Sequence, residues 1–328
     1  MKAAPAIHRI DLPTPFAVGT VNAHVIEDEP LTLVDCGPAW APTLRALQNG
    51  LSELGYRLDD VELLLLTHQH VDHLGLARTV AEASGASVAA LDVLEPIASN
   101  FESHMRDDDG AAAELMRLHG VEDSVVEVLR AVTRVNRHWG ESVRIDNPLP
   151  SGAFVELRDM RLRLQHVPGH SPTDTLFIDD AHKIVFGGDH LLAHVSSNAL
   201  VASGSANQPR RAHYPALLTY ARSLRSTREM DISVIHTGHG EPVRDHRALI
   251  DRRLDQQESR ATQILELLRE QPLTAHQVAV RLWGRRALQQ AYLTISEVIG
   301  HVDLLLDRGL VTEVRDETVV RFAVTEPR

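Results

Sequence analysis

The sequence predicts an α/β fold in which two strand-rich regions flank a block of helices and a second, mainly helical unit follows. Three observations predict it. "DDVELLLLT" ends in consecutive leucines, the pattern of a strand covered on both faces. "GLARTVAEASG" and "ASVAAL" then complete a strand, loop, helix, strand unit. From about residue 95 to 148 the periodicity turns helical, and strands resume only beyond it.

The elements follow in order from local pattern. "AHVIEDEPLTLVDCG" places apolar residues on both sides of "EDEP", which reads as two strands and a turn. A helix is expected from Pro42 to Leu54, since "PTLRALQNGLSEL" opens with proline and repeats leucine at helical intervals, with Gly50 weakening its middle. "THQHVDHLG" lies just past the end of the leucine strand. The helical block contains "AAAELMRLHG" and "SVVEVLRAVTRVNRHW" and reads as an insertion over the site. Strands return in "FVELRDMRLRLQHVPGH", "DTLFIDDAHKIVFGGD" and "DISVIHTGHG", with "YPALLTYARSLRSTR" as an intervening helix. This places a first domain at 1–248, with the helical block as an insertion within it. Beyond it, "ALIDRRLDQQESRATQILELLRE", "TAHQVAVRLWG" and "AYLTISEVIGHVDLLLDRG" predict helices, and "LVTEVRDETVVRFAV" a hairpin. That order predicts a winged-helix domain at 249–328.

Composition narrows the functional classes. A chain of 328 residues with 43% apolar and 24% charged residues can bury a sizeable core. The formal charge of -12 repels polyanions, and the third C-terminal helix is acidic, so nucleic acid is not the expected partner. Cys36 is the single cysteine, which leaves no intrachain disulfide framework. The first residues lack a continuous apolar core of the signal-peptide kind, and no apolar run reaches the roughly 18 residues of a membrane span. A cytoplasmic protein without a membrane partner is expected, with a homodimer as the prior for its assembly.

"HQHVDH" carries the chemistry. His68 and His70 stand two apart, so an extended or looping backbone can aim both at one ion, while a tight turn lets Asp72 face a second. Three further candidates sit in glycine-bordered loops: His170 in "VPGHSPTD", Asp189 in "VFGGDHLL" and His239 in "HTGHGEP". Glycine permits tight turns and close approach of backbone to a ligand. Among 19 histidines any single one is ordinary; their joint occurrence in this pattern points to metal. Imidazole with carboxylate suits divalent metals, zinc first, with iron or manganese as alternatives.

"THQHVDHLG", "PGHSPTD", "GGD" and "TGHG" together resemble the metallo-β-lactamase superfamily over roughly residues 15 to 245. The resemblance implies an αββα sandwich with a dinuclear site at one edge of the sheets. It implies that His68, His70 and His170 bind one ion, that Asp72, His73 and His239 bind the other, and that Asp189 bridges them. A bridging aspartate is more similar to the glyoxalase II, lactonase and ribonuclease branches than to antibiotic-hydrolysing enzymes. The added C-terminal unit resembles glyoxalase II-like hydrolases that carry a winged helix. "LVDCG" is similar to the family's early "DTG" element, with Cys36 as a buried packing residue.

The expected activity is attack of a metal-bridging hydroxide on a small-molecule ester, thioester or lactone, with Asp72 orienting the nucleophile and handling a proton. His190 and His236 are candidates for hydrogen bonds to ligands. His194 and Asn198 are candidates for the substrate mouth, and Tyr214 or Tyr220 for an oxyanion contact, against core packing. Arg210 and Arg211 of "QPRRAHY" are the best support for the alternative, an endoribonuclease or phosphodiesterase. "FESHM" and the leucines of "AAAELMRLHG" are read either as an apolar lid for an acyl chain or as core.

Overall fold

A computed structural model describes residues 4–201, 215–316 and 318–325. The first sheet runs in chain order through β1 (Ile7–Leu12), β2 (Val21–Ile26), β3 (Thr32–Val34), β4 (Leu63–Leu66), β5 (Ser87–Leu91) and β6 (Asn147–Leu149). β1 to β3 pair antiparallel and β3 to β6 parallel. Its connections carry α1 (Ala41–Glu53), α2 (Val71–Leu74), α3 (Ala77–Ser84), α4 (Glu95–Ser99), α5 (Phe101–Leu118) and α6 (Asp123–Asn136). The second sheet contains β7 (Phe154–Glu156), β8 (Arg161–His166), β9 (Thr175–Asp179), β10 (Ile184–Phe186) and, after α7 (Ala216–Arg228), β11 (Val234–His236), in the order β11-β10-β9-β8-β7. The chain continues through α8 (His246–Glu270), α9 (Ala275–Trp283), α10 (Arg286–Gln289) and α11 (Ala291–Asp307) to the hairpin of β12 (Val311–Arg315) and β13 (Val320–Val324).

The leucine run shows why the sheets stack. Side chains alternate across a strand. Leu64 and Leu66 therefore join α1 and α3 in one core, whereas Leu63 and Leu65 join Phe177 and Phe186 between the sheets. Leu176, Ile178 and Val185 face the other way, onto α7 and the start of α8. Full burial of each such side chain contributes about 1.5–3 kcal/mol. The layers are helices, sheet, sheet, helices, as the αββα expectation required. Gly50 does not act as a weak point in α1. A Cβ there would lie 2.6 Å from Ile10 Cγ2, so glycine lets α1 close onto β1.

In the helical insertion the structure decides between the two readings, lid and core. Ala113, Met116, Val121 and Val126 of the α5–α6 region share one core with Ile264, Leu268, Ile295 and Val302 of the C-terminal helices. Phe101 and Met105 of "FESHM" pack on the first-sheet core. These residues form core rather than an open lid, because apolar faces on two separate stretches of chain cover each other. Helix α8 spans both halves: Leu249 and Ile250 lie in the sandwich core, Ala261, Ile264 and Leu268 in the C-terminal one. Asp245 caps it by accepting from Ala248 N, and Thr274 with Gln277 forms a capping box on α9. Among the described residues no helix is long and apolar enough to cross a membrane.

Candidate metal centre

The chemistry-bearing loops gather at one edge of the sandwich. Thr67 to His73 follow the end of β4, Asp189 follows β10, His239 follows β11, and His170 precedes β9. The edge is drawn together by backbone bonds across it: Thr175 N to Thr67 O at 3.0 Å, Gly238 N to Gly188 O at 2.7 Å and Asn22 N to Gly238 O at 2.7 Å.

All seven predicted ligands converge there, in three overlapping groups: His68, His70 and His170; His68, His73 and Asp189; and Asp72, His73 and His239. His70 Nδ1 lies 3.0 Å from His68 Nε2 and 2.9 Å from His170 Nε2. Asp189 reaches both ends of the cluster. Its Oδ1 is 3.4 Å from His73 Nε2, and its Oδ2 is 3.6 Å from His170 Nε2 and 3.5 Å from His239 Nε2. Asp72 Oδ2 is 3.4 Å from His239 Nε2.

Partners on the far side of each ring decide which nitrogen faces inward. His170 Nδ1 donates to the Asn198 carbonyl at 3.0 Å and His239 Nδ1 to the Thr20 carbonyl at 2.6 Å. His73 Nδ1 donates to Asp35 Oδ2 at 2.7 Å. Thr67 Oγ1 spends its only proton on Asp35 Oδ2 at 2.8 Å, so at 3.0 Å it must accept from His68 Nδ1. Four Nε2 atoms are thereby aimed at the cluster, the usual way a protein orients imidazole ligands.

Charge follows the same division. Burial, followed by the neighbouring His73 and His70, holds His68 well below the ordinary imidazole range, and burial with His170 brings His70 down to about 3. Burial also works against His73, but the charges of Asp189 and Asp35 overcome it and raise this ring well above its ordinary value. Burial opposes ionisation of Asp189 and Asp72, yet the surrounding imidazoles keep both carboxyls below the usual carboxylate value. Buried carboxylates thus stand among imidazoles, which is a donor set for divalent cations. His73 Nε2 and Asp189 Oδ1 are fully buried and have no hydrogen-bond partner, although buried polar atoms are normally satisfied. A metal between them would satisfy both, so the residues fit the implied ions.

Other predicted residues take different places. His190 turns away and its Nε2 meets Thr227 Oγ1 at 2.8 Å, so it makes no hydrogen bond to a ligand. His236 stacks on Phe186 with ring centroids 5.3 Å apart and lies edge-on to His24, as part of an aromatic contact. Tyr220 donates to the His190 carbonyl at 2.6 Å and is a core residue. Cys36 is buried, its Sγ lies 3.3 Å from the His73 carbonyl, and burial pushes the thiol's pKa up, which suits packing and not nucleophilic attack. His194 is exposed beside Gly240. Asn198 contributes its carbonyl to His170, and its side chain points to Leu293 O. Arg210, Arg211 and Tyr214 lie outside the described residues.

Asp35 belongs to the "LVDCG" element found in the sequence, but motif reading gave it no role. It accepts from Thr67 N, Thr67 Oγ1 and His73 Nδ1, and it sits at φ 57° where β3 turns toward the site. Its signal was the acidic residue two positions before glycine at a strand end in "LVDCG". Asp174 was likewise missed; it accepts from Ser171 N and Oγ and shapes the His170 loop.

Comparison with known proteins agrees with this geometry. The sequence profile described as "Metallo-beta-lactamase superfamily" matches residues 17–239. A Bacillus subtilis (strain 168) protein named "Probable metallo-hydrolase YqjP" is 31% identical over 329 residues, covering 95% of this chain and 96% of that protein. An Aspergillus fumigatus protein named "Atrochrysone carboxyl ACP thioesterase" is 27% identical over 143 residues, 44% of this chain and 30% of that protein. The crystal structure of a metallo-beta-lactamase family protein from Thermus thermophilus superposes with a TM-score of 0.79 at 25% identity, covering 97% of this chain and 98% of that one.

Proposed function

Because the chain belongs to the metallo-beta-lactamase superfamily and is a metal-dependent hydrolase, we propose that it cleaves a small-molecule ester, thioester or lactone with two divalent ions, zinc first among them. The observation that carries this reading is the convergence of five imidazoles and two carboxylates around His73 Nε2 and Asp189 Oδ1, both buried and without a hydrogen bond. His68, His70 and His170 would hold one ion, Asp72, His73 and His239 the other, and Asp189 would be shared between them. Ions bound there supply Lewis acidity and lower the pKa of water, so no side-chain nucleophile is needed. Asp72 is the carboxylate with the more open side chain, 15% exposed against 9% for Asp189. It is therefore placed to orient water and to take up its proton.

The thioester option draws support from the fungal relative, whose printed name is that of an acyl-carrier-protein thioesterase. We further assign the chain to a glyoxalase II-like branch with its C-terminal unit, from 249 onward, as a winged-helix module that walls the catalytic half. Helix α11 supports the wall role. Eleven of its residues are buried, and it packs on α5, α7, α8 and α9, which favours a wall over a recognition helix. A cytoplasmic location and a homodimer belong to the same proposal.

A hydrolysis screen on metal-replete protein tests the reading, using p-nitrophenyl esters, acyl thioesters, lactones and a single-stranded RNA, with Asp189→Ala as control. Turnover of an ester, thioester or lactone, abolished in Asp189→Ala, is the expected result. Cleavage of RNA alone would overturn it in favour of phosphodiester chemistry.

A further inference from the structure

The segment from Ser197 to Val201 forms no helix or strand, yet it touches two of the proposed ligands. Ser197 Oγ donates to the Asp189 carbonyl, and the Asn198 carbonyl receives His170 Nδ1 at 3.0 Å. The same segment is tied to the C-terminal helices. Tyr292 OH donates to the Val201 carbonyl at 2.6 Å, and Asn198 Nδ2 donates to the Leu293 carbonyl at 3.2 Å. Its buried apolar residues fall in different cores, Ala199 in that of the second sheet and Val201 in that of the C-terminal helices. Just upstream, Arg253 of α8 donates to the carbonyls of Leu192 and Val195 at 3.1 and 2.8 Å.

We propose that the C-terminal helices position the metal centre through this strap, with Tyr292 and Asn198 as positioning residues that act on His170. The inference rests on the metal-centre reading above. No ladder holds the strap, so its few side-chain bonds, with the burial of Ala199 and Val201, set where the Asn198 carbonyl sits. That carbonyl sets the orientation of the His170 ring, whose Nε2 lies 2.9 Å from His70 Nδ1. The other proposed group is anchored independently, His239 by Thr20 and His73 by Asp35. Loosening the strap should therefore weaken the ion on His68, His70 and His170 and spare the ion on Asp72, His73 and His239.

The test is zinc competition against a chromophoric chelator on the full chain, with the visible spectrum of the cobalt-substituted protein as a second readout. Tyr292→Phe removes the hydroxyl only, and Asn198→Ala removes the tie to α11 while keeping the carbonyl to His170. The expected result is about a tenfold loss of affinity for one ion, the lower end of what losing an outer-shell partner costs, with an altered cobalt spectrum and an unchanged unfolding midpoint. Wild-type binding of two ions with both variants indistinguishable from it would overturn the strap while leaving the metal centre intact. Equal weakening of both ions with a lowered midpoint would also overturn it, as general destabilisation. Wild-type protein that holds no ion at all would overturn the metal-centre reading itself.

Discussion

At Asp35 one carboxylate satisfies what would otherwise be three unpaired donors. It is 2% exposed and accepts from the backbone and hydroxyl of Thr67 and from the ring of His73. Asn tolerates a positive φ nearly as well as Asp, so Asp35→Asn tests the charge and acceptor pattern and not the backbone. It should lower metal affinity about 10–100-fold by chelator competition and cost about 1–3 kcal/mol in a urea titration. Gly238 makes a different demand. A Cβ there would lie 2.4 Å from Asp189 Oδ1 and 2.5 Å from His73 Cε1. Gly238→Ala should therefore bind fewer ions by elemental analysis while its circular dichroism stays native. The glycine of "TGHG" was legible in the sequence as a close-approach position; which atoms approach it was not, because they come from α2 and the loop after β10. His190 and His236 were candidates for ligand contacts against ordinary local roles, and the structure gives them the local ones. Proximity in sequence to a ligand says nothing about which face of the loop a side chain leaves from.

At the scale of elements, periodicity located the long helices and most strands, though not β1 or β6, and could not say what covered them. The leucines of "AAAELMRLHG" showed an apolar stripe, and its partner proved to be the C-terminal core, far along the chain, and not a substrate. Helix α11 is the extreme case: its buried residues run around most of its circumference, since helices pack on several sides of it. Ile295 is fully buried in that shared core. Ile295→Ala should destabilise by about 2–5 kcal/mol, with the cavity term added to the transfer term. A single cooperative urea transition with a lowered midpoint is the expected readout. A separate early transition of the C-terminal helices would contradict the sharing of that core with the α5–α6 hairpin.

For the molecule as a whole, the site edge concentrates like groups that repel one another when empty. Buried imidazoles depress each other's protonation, and the Asp189 charge opposes ionisation of Asp72. Divalent ions bound to the native state alone would stabilise it by mass action, about 2.7 kcal/mol at a free concentration one hundred times the dissociation constant. Chelation should thus lower the unfolding temperature, and excess zinc should restore it; an unchanged midpoint by differential scanning calorimetry would show that no ion contributes. The sequence alone determined a strand covered on both faces, through its four leucines, and the resemblance carried by the metal motifs implied the sandwich. The sequence also determined the ligand types, through histidines and aspartates spaced in glycine-bordered loops. These are local properties, carried by residue order and side-chain chemistry. The tertiary structure alone decided the tautomers, the role of Asp35, the burial of α11 and the tie from Tyr292 to His170. Each of these depends on atoms far apart in the chain meeting within hydrogen-bond or van der Waals distance, and no local pattern encodes such a meeting.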